Sequence, residues 1–153
     1  MNKKNIWLSL FYIFFPLVMG SIIGLLISNS ISYNDLVKPP LSPPSILFPI
    51  VWTIIYLLMG ISYFILKKNN NDNIIISTVY YFQLFVNLLW SLIFFVLEWR
   101  FFSIIWIILL DLLVILMIYL FSKKEKISAY LNYLYLAWIL FATYLTIGIF
   151  ILN

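Results

Sequence analysis

The chain has no cysteine and no histidine. Without them there is no disulfide framework, no thiolate nucleophile, no Cys/His zinc site and no usual haem axial ligand. Redox and metal catalysis recede accordingly, and no metal or resident cofactor is expected. Glycine occurs only four times, too few for a loop that cradles phosphates, so the chain is no ATP-driven machine on its own. Charge is scarce as well. Charged residues make up 9% of the 153 and hydrophobic residues 65%, with a mean hydropathy of +1.11. A soluble domain of this length would carry far more charge.

What fills the chain is apolar sequence in long runs. A helix crosses a bilayer in about 20 residues, and five runs reach that length: 6–28, 45–66, 74–97, 101–121 and 128–152. Barrel strands are half as long and alternate in polarity, whereas these runs are apolar on every face. The expected fold is therefore all-α, a single integral membrane bundle of five helices over residues 1–153. Lys3 and Lys4 precede the first run in the manner of a signal peptide, but no small-residue cleavage site follows it, so it reads as a retained helix. No internal repeat is visible, and five spans do not divide into two inverted halves.

Basic residues give the orientation. Lys3, Lys4, Lys67, Lys68, Lys123, Lys124 and Lys126 all flank the spans on one side, and only Lys38 and Arg100 lie on the other. The positive-inside rule then puts the N-terminus in the cytoplasm and the C-terminus and first loop outside, at the cell membrane. The net charge of +4 is absorbed by this pattern, leaving no basic patch for nucleic acid. The run KKNNNDN, 67–73, reads as a plain solvated turn.

The most unusual stretch is KPPLSPPSILFPIVWT, 38–53, with five prolines ahead of Trp52. Proline has no N–H and holds φ near the polyproline value, so 38–44 should be a stiff extended loop. Pro43, Pro44 and Ser45 suit the first turn of the second span. Two readings stand: helix punctuation, or a lid over a binding site, since long ordered loops tend to be functional. At about 1.5 Å per residue, Trp52, Asn87, Trp106, Trp138 and Ala142 fall at similar depth, beneath that loop. Gln83, Asn87 and Trp90 share one helix face, as do Trp52, Tyr56 and Met59, and Trp138, Ala142 and Leu145. Buried amides facing protein, ligand or water and aromatic walls together suit a flat pocket for a large planar apolar ligand. Interhelical packing with amide hydrogen bonds is the plainer alternative.

These residues also carry a resemblance. The stretch from Tyr33 through KPPLSPPSILFPIVWTIIYLLMG resembles the signature region of the translocator protein family, TspO/MBR. QLFVNLLWSLIFF, 83–95, and YLAWILFATYL, 135–145, are similar to its later motifs. The resemblance implies a five-helix membrane protein, usually a homodimer in the lipid, that binds metal-free protoporphyrin-type tetrapyrroles and other flat hydrophobic molecules. By motif, Tyr33 and Pro43 would belong to the lid, Trp52 to span two, Asn87 and Trp90 to span three, and Trp138 and Ala142 to span five. Tyr56, Trp106 and Asp111 join the candidate ligand-binding set on depth and facing. The chain departs from the family at Ser32, where a Trp often precedes the Tyr, at Leu41 and Leu134, where an aromatic and a Pro are common, and at Thr146, in place of a frequent Asn. No Lys or Arg follows Lys126, so a C-terminal sterol-recognition pattern is unsupported.

Asp111 is the sole acid deep in a span, a functional candidate by default. Gly20 and Gly24 form a GxxxG that permits close helix packing. Three functions follow: a tetrapyrrole sensor or carrier, first in order; a photo-oxidative porphyrin-degrading enzyme using Trp52 and Trp138, as the resemblance implies for bacterial members; and a small-molecule transporter or membrane interaction partner. No acid–base pair or nucleophile supports ordinary catalysis.

Overall fold

The computed structural model describes residues 3–30 and 33–153. Its elements are helices: α1 (Lys3–Ile27), α2 (Leu47–Lys68), α3 (Ile74–Ser91), α4 (Arg100–Ser122), α5 (Lys126–Tyr130) and α6 (Tyr133–Leu152). Five segments are long and apolar enough to cross a membrane, the fifth being α5 and α6 together. No strand occurs among the described residues. In hydrocarbon every backbone donor and acceptor must be satisfied within its own segment, and helices do this for chains that are apolar all round.

The helices form a ring in the order α1, α2, α5–α6, α4, α3 and back to α1. Two segments depart from the simple helices expected. After Ser91 the chain makes one π-turn over Leu92–Val96, with the Leu97 N–H donating to the Leu92 carbonyl at 3.0 Å. The last span breaks at 131–132, so it is two helices rather than one.

The lysine-bearing end is densely packed. A Cβ on Gly60 would strike the Ile13 carbonyl, and one on Gly20 the Tyr56 ring, so these glycines let α1 lie directly on α2. Ser62 and Ser128 each donate to the other's carbonyl, at 2.9 and 2.8 Å. Asn132, at the break, donates to the Ser62 hydroxyl at 2.6 Å. Tyr63 and Tyr80 stack with ring centroids 4.0 Å apart.

The connection over 67–73 is more specific than the expected solvated turn. Asn70 takes φ +53°, a conformation asparagine tolerates at a helix C-terminus. Lys67 pairs with Asp72 at 2.6 Å, and the Asn73 side chain caps α3 by accepting from the Ile76 N–H at 2.9 Å.

Candidate functional site

At the opposite end, α1, α2, α3 and α6 draw apart around a cavity of about 490 Å³. Its aromatic wall comes from Tyr33, Phe48, Trp52, Tyr56, Trp90, Phe95 and Trp138, completed by Ala142 and by Leu17, Gly20, Ile23 and Gly24 of α1. The hydroxyl residues Ser21, Ser45, Thr53 and Ser91 are the polar part, and among the described residues no charged side chain lines it. Trp52 stacks on Tyr56 at 5.3 Å between centroids, and Phe48 meets both Tyr33, at 5.0 Å, and Trp138, at 5.9 Å, edge to face. The indole N–H groups of Trp90 and Trp138 are buried without a protein partner. A buried donor left this way costs stability unless something accepts from it.

Beneath the cavity lies a closed polar chain. The Tyr56 hydroxyl donates to Asn87 Oδ1 at 2.7 Å, Asn87 Nδ2 donates to the Tyr135 hydroxyl at 3.0 Å, and that hydroxyl donates to Gln83 Oε1 at 2.9 Å. Gln83 Nε2 in turn points at the Met59 sulfur at 3.4 Å. Asn87 is therefore the support behind Tyr56, and its amide is used up holding three helices together.

Above the cavity runs the proline-rich connection. Residues 37–39 and 42–44 have no regular secondary structure and are separated by a turn at Pro40–Leu41, and α2 begins only at Leu47. The helix thus starts two residues later than the expected 45, and the proline in its first turn is Pro49, where a missing N–H has no intrahelical partner to lose. Leu41 takes φ +65°, the left-handed position that follows a proline in a type II turn. The segment is clasped from α6. Tyr144 donates to the Pro40 carbonyl at 2.8 Å, and Asn153 bonds the Val37 N–H at 3.0 Å and its carbonyl at 2.9 Å. Pro39 sits where any Cβ on Gly148 would be. On the cavity side, buried Tyr33 donates to the Pro43 carbonyl at 3.1 Å, and the Lys38 ammonium lies 4.8 Å over the Tyr33 ring.

Of the residues singled out in the sequence, Tyr33, Trp52, Tyr56, Trp90, Trp138 and Ala142 come together in the wall. Pro43 acts through its carbonyl and Asn87 through Tyr56. Trp106 and Asp111 do not reach the cavity, for α4 supplies none of its lining among the described residues. Trp106 instead donates its indole N–H to the Val86 carbonyl at 2.8 Å, tying α4 to α3. Asp111 accepts from the Thr143 hydroxyl at 2.8 Å, joining α4 to α6. Depth along a helix was the ground for including both, and depth does not fix which way a face turns. Leu41 is 85% exposed at the tip of the turn, so its departure from the family pattern leaves the wall unaltered, while Ser32 lies outside the described residues.

Two parts of the site were missed. The α1 wall was signalled by Gly20 and Gly24, read only as a packing motif; Gly20 does pack on Tyr56, but Gly24 opens on the cavity. The clasp from α6 joins residues over 100 positions apart, and no local pattern announces it.

Residues 12–152 match the TspO/MBR family. The chain is similar to two proteins called "Tryptophan-rich protein TspO". One, from Archaeoglobus fulgidus, is 40% identical over 122 residues, covering 79% of each chain. The other, from Chlorobaculum tepidum, is 35% identical over 126 residues, covering 79% of this chain and 78% of that one. "Protein CrtK" of Rhodobacter capsulatus is 29% identical over 150 residues, covering 95% of this chain and 94% of its own.

Proposed function

Because this chain belongs to the TspO/MBR family, we propose that it binds a protoporphyrin-type tetrapyrrole in the cavity under the proline-rich connection and acts as a membrane sensor or carrier for it. The observation that carries this reading is the aromatic cavity with two unpartnered indole N–H groups, on Trp90 and Trp138. A planar macrocycle gains most from aromatic faces at its sides, and acceptor groups on its periphery would satisfy the two donors. With no charge in the wall, ionised side arms must remain at the cavity's edge beneath the proline-rich connection, where Lys38 places a cation beside Tyr33. The bundle acts as a homodimer with its lysine-bearing turns in the cytoplasm. Crosslinking in the bilayer tests the first statement. Single engineered cysteines at Asn70 and Asn34, probed from outside cells, test the second, and outside labelling at 70 would reverse it.

Titration of the purified protein with metal-free protoporphyrin, followed by Trp fluorescence, tests the binding itself. Saturable quenching in the parent, weakened about tenfold in Trp138→Phe, is the expected result. Unsaturable quenching, equal in both, would remove the porphyrin reading. The stacked Trp52–Tyr56 pair in the wall favours a second reading, in which bound porphyrin is oxidised by O₂ in light. Loss of bound porphyrin absorbance that requires both light and oxygen would distinguish it from simple binding.

A further inference from the structure

We propose that the cavity fills sideways from the lipid, through a slot between α1 and α2, and not from the water beneath the proline-rich connection. The proposal rests on reading the cavity as a ligand site and names the route and the class of molecule it admits.

The two helices touch closely at Gly60 against Ile13 and at Gly20 against Tyr56. One turn further along α1 the contact is gone, and a Cβ on Gly24 would find nothing within 4 Å. Around this gap, residues of both helices line the cavity while remaining exposed. They are Ser21, Gly24 and Leu25 on α1, the last 76% exposed, and Pro49 and Thr53 on α2. The opposite wall, at Ala142 on α6, is buried. Residues that belong to a cavity and to the outer surface at once form its mouth, and this mouth lies within membrane-spanning segments.

Its chemistry suits hydrocarbon. Among the described residues no charged side chain stands in it, and the Thr53 hydroxyl is spent on the Pro49 carbonyl at 2.7 Å, so the Ser21 hydroxyl is the side-chain polar group that faces lipid there. The connection above it is fastened at Val37, Pro39, Pro40 and Pro43. A water-side route would have to break several of those bonds together, whereas the slot is already open. The molecules admitted are flat amphiphiles that partition into the leaflet on the loop's side; heavily carboxylated analogues, which stay in water, are excluded before they meet the wall.

The absence of cysteine makes a clean test available. Ala142→Cys puts a single thiol on the far wall. In proteoliposomes, its labelling by N-pyrenylmaleimide, which dissolves in the bilayer, is compared with labelling by a sulfonated, water-confined maleimide. The bilayer-soluble reagent should be faster, and Gly24→Phe or Thr53→Trp, on opposite lips of the slot, should slow it by about tenfold. Asn153→Ala, which loosens the loop, should leave the rate unchanged. If the sulfonated reagent labels equally fast, and Asn153→Ala accelerates labelling while both lip variants have no effect, entry is from water and the proposal fails. No porphyrin enters this experiment, so a negative porphyrin titration would sink the binding assignment without altering the labelling result.

Discussion

The two ends of the bundle are built from the same apolar alphabet and put to opposite uses. At the lysine-bearing end, polar groups knit helix to helix: Ser62 and Ser128 each donate to the other's carbonyl, Asn132 donates to the Ser62 hydroxyl and Tyr63 to Ser77 at 2.8 Å, with the Tyr80 hydroxyl and Asn132 Oδ1 left over. Leu66, Met117, Phe121 and Ala129 are wholly buried there. At the loop end the helices separate, two indole donors are left over, and the covering segment is held by α6 instead of being packed beneath it. One end holds the fold and the other holds space. Stability and binding should therefore respond to different residues, and that separation can be broken or sharpened by substitution.

The largest effect is expected at Gly60→Ala. A methyl group there meets backbone, not a flexible side chain, so α1 must move off α2, at a cost of about 3 kcal/mol. Thermal unfolding in detergent reads this directly, and a variant as stable as the parent would show that the packed end is less rigid than described. Ser62→Ala comes next. It removes one bond of the reciprocal pair and one of the two acceptors of the Asn132 amide, the Ser128 carbonyl being the other, and the two lost bonds cost about 2 kcal/mol; equal melting of variant and parent would mean that water replaces the hydroxyl.

How much of this was legible beforehand depends on the range of the interaction. The five spans were plain because each is a continuous apolar run, and the wall residues Trp52, Trp90 and Trp138 because large aromatics and their helical spacing are local. Trp106 and Asp111 fall outside the cavity wall because facing depends on the ring order of the helices, which single-helix spacing does not contain. The π-turn at Leu92–Val96 and the break before Tyr133 have no proline or glycine to mark them. The α6 clasp depends on Gly148 meeting Pro39, a contact only the assembled bundle makes.

Smaller effects sharpen the contrast from the loop end. Tyr144→Phe deletes the bond to the Pro40 carbonyl and should cost about 1 kcal/mol, while hydrogen exchange at Leu41 and Ser42 rises and that of α3 does not. A rise throughout the bundle would show that the two ends are coupled. Trp138→Phe should change stability least, by about 0.5 kcal/mol, because its indole N–H has no protein partner to lose. A melting temperature well below the parent's would mean that this donor is already satisfied within the protein.

The clasp bears on how the protein is made. Chains emerge N-terminus first, at about 5–20 residues per second, so the proline-rich segment is synthesised long before Tyr144, Gly148 and Asn153 exist to fasten it. Until α6 has entered the bilayer, the first four helices can pair while the segment above them stays loose. The cavity is thus completed only once α6 has been made and has joined the bundle, and a ribosome arrested before α6 would hold an inserted bundle with no finished cavity.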